Sequence, residues 1–549
     1  MPPRLIAAFT AIWAFRPYLR HGPFAAALIG GALLRWTAVR AYPQGLWFTG
    51  DSYFYMGYAL RPKPSGSKTL GYSFLLRLME PLHSLKAVVV VQHLMGLAIA
   101  VMIYALLCRA RLPAWAAAIV SLPVLYDAYQ IELEHLLMSE ALFTFAIMAG
   151  LTLLLWRPPV WWTALPAGVL LGYAVLVRSA GAPLIPVILL VLLLRPRGRP
   201  PRLLPRLLPR ARPDLRPALA FGVAAAVPLV AYAMWFHAER GTYGLTTADG
   251  IYLWGRTAQF ADCAKIDPPA DEQGLCLDAA TKAEKDPPGH LIWRNDIPPR
   301  ERFRSVITPE ANKTLRSFAI RAILAQPGDY LHVVGHGVHM AFSHDRAPVP
   351  TPGTEGLYHF PDRPQLFTPG RSFGGGGTAL TDAMRYGRTD RPSQVVQPQA
   401  DRLIDYQEKV FLPGPALGVL FALGAVGLAA ARWRRREVLL AWGTAATLLL
   451  FPIASADFDY RYVVPPMPFA CLAVGLALSA FRARRPEPVP AGAEPVEPGP
   501  GPEGVESAET EPPEGESSED GSSETERGVS RWWENRGSRH RDSGRASAP

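Results

Sequence analysis

Cysteine is scarce in this chain, with four among 549 residues. Cys108 and Cys471 fall in or beside apolar runs, where a thiol is a small packing group. Cys263 and Cys276 share one polar stretch, FADCAKIDPPADEQGLC. If that stretch faces an oxidising exterior the two read as a disulfide, and otherwise as two free thiols. A cleavable signal peptide is missing from Met1–Arg20, which holds arginines but no A-x-A site after a short apolar core. Internal pseudo-repeats and mid-membrane charge clusters are also missing, which counts against a transporter. The formal charge is +10, yet the basic residues form no patch on a folded domain, which excludes a nucleic-acid partner.

What is present is apolar sequence in long runs. A helix crosses a bilayer core of about 30 Å with about 20 apolar residues. Such runs lie near 22–42, 86–107, 112–127, 138–156, 161–177, 181–194, 217–236, 411–431, 437–454 and 462–481, the third and sixth being short. Lys and Arg orient them. The loop from Arg195, RPRGRPPRLLPRLLPRARPDLRP, carries eight arginines against one aspartate. With ten helices, this loop falls on one side together with Arg4, Arg16, Arg20, the RWRRRE loop at Arg432–Glu437 and the RARR segment at Arg482–Arg485.

The fold class expected is therefore an all-α polytopic membrane protein of about ten transmembrane helices. It carries an α+β extracytoplasmic insert and a disordered C-terminal tail. The divisions are 1–21 (cytoplasmic N-terminus), 22–236 (about seven helices, with an outer loop 43–85), 237–409 (insert), 410–481 (about three helices) and 482–549 (cytoplasmic tail). The tail is rich in Pro, Glu, Gly and Ser, too polar to fold alone. Trp532 and Trp533 within it are a conceivable partner motif. The stretch LRSFAIRAILAQPGDYLHVVGHGVHMAFSH is amphipathic and suits a membrane surface.

Ionisable groups at the outer membrane boundary are the candidates for chemistry. Asp51 follows the first span among Trp47, Phe48, Tyr53, Phe54 and Tyr55. A partly desolvated acid there suits a general base, and Gly50-Asp51-Ser52 equally suits a helix start with Asp51 as cap. Arg61, Lys63 and Lys68 follow at headgroup height, for phosphate or for anionic lipid. Glu132, Glu134, His135 and Glu140 precede the fourth span, where Glu140 could cap a helix. Arg178, between two apolar runs, needs an anion. Arg35 lies inside the first span and calls for snorkelling or a carboxylate partner. His332, His336 and His339 share one helical face, but without a carboxylate or cysteine at ligand spacing. Asn312-Lys313-Thr314 fits the glycosylation sequon.

Five segments together resemble the GT-C membrane glycosyltransferases that use polyprenyl-phosphate sugars, in the group of the dolichyl-phosphate-mannose protein mannosyltransferases and aminoarabinose transferases. They are GDSYFY (Gly50–Tyr55), KTLGYSFL from Lys68, LMSEALF around Glu140, VRSAG around Arg178 and RYVVPPMP from Arg461. The likeness covers about 22–236 and 410–481. Leu70 and Ser73 stand where that group has prolines, and a lone Asp51 stands where several members have an Asp-Glu pair. The resemblance implies a transferase of the cell envelope in which Asp51 takes the proton of an acceptor hydroxyl, with inversion at the sugar, and Glu140 stands as a second catalytic acid. Lys68 and Arg178 would hold the donor phosphate, and Tyr53, Tyr72, Glu134, His135 and Arg461 would border the acceptor or support the residues that do. The donor would be a lipid-linked sugar, and a divalent cation is the one cofactor left open. The acceptor would be a glycan, lipid or protein of the cell envelope. A surface-polysaccharide ligase or polymerase, a non-catalytic membrane protein and a transporter are the alternatives.

Overall fold

Proline and glycine set where the helices of this chain begin and how closely they pack. The computed structural model describes residues 19–194, 214–367, 372–373, 376–388, 394–431 and 433–482, all within one compact unit, Met1–Pro486. The N-terminal arginines Arg4 and Arg16, most of the loop from Arg195, and the tail with Trp532 and Trp533 lie outside the described residues.

Five segments are long and apolar enough to cross a membrane: Gly22–Ala41, Leu85–Arg109, Arg216–Arg240, Arg435–Ser455 and Tyr460–Phe481. A sixth arises if Gln399–Lys409 and Gly414–Ala430, bent by 56° at the intervening break, act as one span. Four apolar helices are shorter: Ala114–Tyr126, Glu140–Trp156, Trp161–Val177 and Ser179–Leu193. All ten expected apolar runs are thus helical. Shortness extends beyond the third and sixth to the fourth and fifth, which have 17 residues each.

Trp161–Val177 and Arg216–Arg240 pack along Gly168 and Gly172. A Cβ at either position would collide with the carbonyl oxygen of Phe221 or Ala225. Small residues four apart let two membrane helices approach this closely. Asp127 joins distant parts of the chain. Its carboxylate accepts the Gln130 N–H at 2.7 Å, capping Ala128–His135, and the Leu412 N–H at 2.6 Å in the break of the bent pair.

The insert is helical rather than α+β. Among the described residues its one strand ladder is Ser372–Phe373 against Gly377–Thr378. The prolines that punctuate it start helices at Pro288, Pro298, Pro309, Pro327 and Pro352. A fixed φ and a missing N–H cost nothing in the first turn. Ile251, Trp254, Leu275, Leu291, Leu315 and Phe318 form its core, beside which Cys263 and Cys276 are joined as a disulfide. The amphipathic stretch is two helices, Pro309–Ala325 and Pro327–Phe342. The second packs on the last apolar helices, Phe342 on Phe421 at 5.6 Å and the Tyr330 hydroxyl donating to Ala454 O at 3.1 Å. His332, His336 and His339 are exposed on it. Asn312 is buried, its Oδ1 accepting the Gly250 N–H at 2.6 Å and its Nδ2 donating to Asp249 at 2.9 Å. A side chain so engaged has no free amide to glycosylate.

Candidate functional site

The loop that follows Gly22–Ala41 is shaped by two glycines. Gly50 adopts φ +90, the left-handed region, and from it the helix Asp51–Leu60 begins. The helix start at Asp51 matches the sequence expectation. Asp51 is nevertheless not its cap, because Gly50 holds that position and no side chain caps the helix. Gly71 begins the helix Gly71–Met79 directly against Leu176 and Val177, where a Cβ would collide with backbone. The Tyr173 hydroxyl donates to Gly71 O at 2.8 Å. The loop carrying Lys68 is thereby pressed onto the helix end carrying Arg178.

Three cations and three carboxylates meet there. Lys68 Nζ is ion-paired with Asp51 Oδ1, and Arg461 donates to Asp51 Oδ2 at 2.7 Å. Arg178 is ion-paired with Glu140 and lies 3.5 Å from the Ser139 hydroxyl, which also accepts from Tyr55 at 3.1 Å. The Tyr462 ring joins the halves, with the Arg178 guanidinium 5.6 Å and the Arg461 guanidinium 5.2 Å from its centre. Asp459 completes the group, its Oδ2 lying 3.0 Å from Arg461 Nε and accepting from the Tyr358 hydroxyl at 2.9 Å.

Burial opposes ionisation of Asp51, but Lys68 and Arg461 outweigh it and hold the carboxyl well below the ordinary aspartate range. Burial also pulls Lys68 below the ordinary lysine value, although Asp51 opposes it. Burial pushes Asp459 up against the pull of Arg461. Asp457 is pushed up to about 6 by burial, while accepting the Gly289 N–H at 2.8 Å. That bond, with Arg256 ion-paired to Asp457 at 4.0 Å, ties the insert to the loop before Arg461.

Of the residues singled out from sequence, Asp51, Lys68, Glu140, Arg178 and Arg461 converge. Tyr72 is buried beneath them, 5.0 Å from the Tyr55 ring, and donates to Gln92 at 2.5 Å. Tyr53 is buried 5.6 Å from the Trp47 ring. Glu134 and His135 belong elsewhere. Glu134 is bidentate with Arg35, at 2.7 and 2.9 Å, and His135 lies between His93 and the Tyr42 carbonyl, 2.9 Å from each. Arg61 is likewise spent on Asp382, at 2.8 and 2.6 Å. Sequence reading passed over Ser139, Tyr358 and Tyr462. The RYVVPPMP segment already contained Tyr462, but nothing local marked Tyr358.

Among the described residues no three His, Cys, Asp or Glu side chains converge as a metal site. Both oxygens of Asp51 are already matched by cations. A divalent cation does not fit that carboxylate without displacing Lys68 and Arg461.

No family model matches the chain, and no curated protein matches it. Three solved structures are similar. The crystal structure of the Archaeoglobus fulgidus oligosaccharyltransferase tethered with an acceptor peptide shares 12% identity at a TM-score of 0.38. The same enzyme in the apo form shares 13% at 0.35. Archaeal oligosaccharyltransferase AglB from that organism, in complex with an inhibitory peptide and a dolichol-phosphate, shares 14% at 0.33. The matches cover 84%, 84% and 85% of this chain and 50%, 51% and 52% of those chains. The chain thus spans about half their length. The likeness is loose at these scores, and the functional reading rests on the site.

Proposed function

We propose that this chain is a membrane glycosyltransferase of the GT-C type, moving a sugar from a polyprenyl-phosphate carrier to an extracytoplasmic acceptor hydroxyl. The observation that carries the reading is the meeting of Lys68, Arg178 and Arg461 with Asp51 and Glu140 beside the ends of apolar helices. Guanidinium and ammonium groups that are largely buried but keep some exposure suit a phosphate whose negative charge grows as it leaves. An ionised carboxylate among them suits the proton of an incoming hydroxyl.

The step balances simply. The acceptor oxygen bonds to the sugar C1 from the face opposite the phosphate, its proton passes to Asp51, and the C1–O bond breaks with its electron pair going to polyprenyl phosphate. Lys68 and Arg178 stabilise that charge, and Glu140 holds Arg178 in place. Residues 22–236 and 410–481 form the membrane module with ten crossings, in the cell membrane. The insert lies outside, shaping the access of a glycan, lipid or protein acceptor, and the N-terminus and tail are cytoplasmic.

Two measurements test this. Purified protein given radiolabelled polyprenyl-phosphate sugars and cell-envelope acceptors should move label to an acceptor and release polyprenyl phosphate. Absence of both across the common carriers rejects the transfer reading. Reporters fused at 200 and 500 should read as cytoplasmic and a reporter at 300 as external. A cytoplasmic signal at 300 would put the insert on the wrong side for the acceptor.

A further inference from the structure

Arg461 sits between two carboxylates, hydrogen-bonded to Asp51 and at ion-pair distance from Asp459. Its guanidinium has five N–H groups. One donates to Asp51 at 2.7 Å, and another faces the Tyr462 hydroxyl at a long 3.4 Å. Nε is buried 3.0 Å from Asp459 Oδ2, an ion-pair distance, but without an aligned hydrogen bond. The guanidinium therefore has donors left for another anion.

Asp459 itself is fixed. It is 5% exposed, its Oδ1 accepts the Arg461 backbone N–H at 3.2 Å, and its Oδ2 accepts from Tyr358. Tyr358 is 2% exposed, its ring stacks 5.4 Å from Phe48, and its carbonyl accepts from Gln407 at 2.9 Å. Neither residue faces Asp51. Both brace the cation that does.

The two cations on Asp51 stand in the same cluster as Arg178, which the transfer reading gives to the phosphate. A donor that recruits them must uncover the carboxylate. We propose that Asp459, braced by Tyr358, is the positioning residue of this centre. It retains Arg461 by its Nε edge while the outer edge passes from Asp51 to the donor phosphate, so that donor binding and release of the base are one movement. This rests on the transfer reading above, and adds to it that the donor must be seated before Asp51 can take the acceptor's proton.

The test uses full-length protein in lipid nanodiscs, with two readouts: donor KM and kcat for transfer, and binding of sugar-free polyprenyl phosphate by native mass spectrometry. Asp459→Asn should raise donor KM and weaken polyprenyl-phosphate binding about ten-fold, the loss of one charge-assisted contact. Tyr358→Phe, which removes a single oxygen, should move both in the same direction by a smaller factor, and Asp459→Glu should restore part of the loss. In an Arg461→Ala background the effect of Tyr358→Phe should vanish, because it acts through that cation. The inference is overturned if either variant lowers kcat alone at unchanged KM, or if Tyr358→Phe costs as much without Arg461 as with it. Wild-type protein that neither binds polyprenyl phosphate nor transfers sugar overturns the transfer reading instead, and this inference with it.

Discussion

Asp51→Asn lowers sugar transfer by about a hundred- to ten-thousand-fold, the usual cost of losing a general base, and leaves a folded protein that binds its donor lipid more tightly. The second half of that expectation discriminates between readings. Asn has nearly the size of Asp, and Asp51 caps no helix, so the local backbone gives no reason for collapse. Two cations that were spent on the carboxylate, Lys68 and Arg461, become available to phosphate. A purely structural counter-ion would behave differently. Its removal would lower melting temperature and activity together and improve nothing. The measurement is kcat, donor KM and thermal unfolding on the same reconstituted sample. Transfer at the wild-type rate would remove Asp51 as the base, and a loss explained by unfolding would make it a structural acid.

The pH dependence follows from the same ion pairs. Because Lys68 and Arg461 hold Asp51 below the ordinary aspartate range, its ion pairs stabilise the site fully above that range, roughly pH 4. The stabilisation is lost as pH falls further, toward the lowered folded-state value. An acid limb in the free enzyme's rate profile near neutrality would have to come from another group.

How much of this could be read from residues alone follows from the range of each interaction. Apolar periodicity is local, and all ten runs became helices. Gly50-Asp51 marked a helix start because a left-handed glycine and the first helical turn are neighbours in sequence. Lys68 and Gly71 were legible as a unit for the same reason, although the collision that demands Gly71 involves Leu176 and Val177, which no local pattern announces. Arg461 sits 410 positions from Asp51, and its place on that carboxylate exists only once the last helices close on the first. Glu134 and His135 looked like site residues because they stand beside a span with other acids. Arg35, which takes Glu134, comes from a helix 99 positions earlier, and His135 is held by His93 and the Tyr42 carbonyl. In the insert, expected to be α+β, the prolines are first-turn residues of helices and the strands reduce to one short ladder among the described residues, a distinction that composition does not make.

The second large effect is structural and concerns that displaced pair. Arg35 is 2% exposed within Gly22–Ala41, and Glu134 is fully buried. The guanidinium fills its donor set, two bonds to Glu134 at 2.7 and 2.9 Å, and others to the carbonyls of Gly31, Leu125 and Val124 at 3.2, 2.8 and 3.1 Å. Glu134 also faces His93 Nδ1 at 3.0 Å and accepts from Gln130 at 2.9 Å. Gly96 leaves room for it, since a Cβ there would strike its carboxylate. A charge stranded in such surroundings is expensive, so Glu134→Leu, which leaves the arginine unpaired, should cost about 3–5 kcal/mol. Arg35→Met strands the carboxylate, but His93 and Gln130 still address it, so its cost should fall at the lower end. The double variant, with neither charge, should be more stable than the sum of the singles by well over 1 kcal/mol. Thermal or denaturant unfolding of the four proteins in one detergent measures the cycle. Additive losses, or a Glu134→Leu protein that melts with the wild type, would mean that this ion pair does not hold the first helix to Ala128–His135.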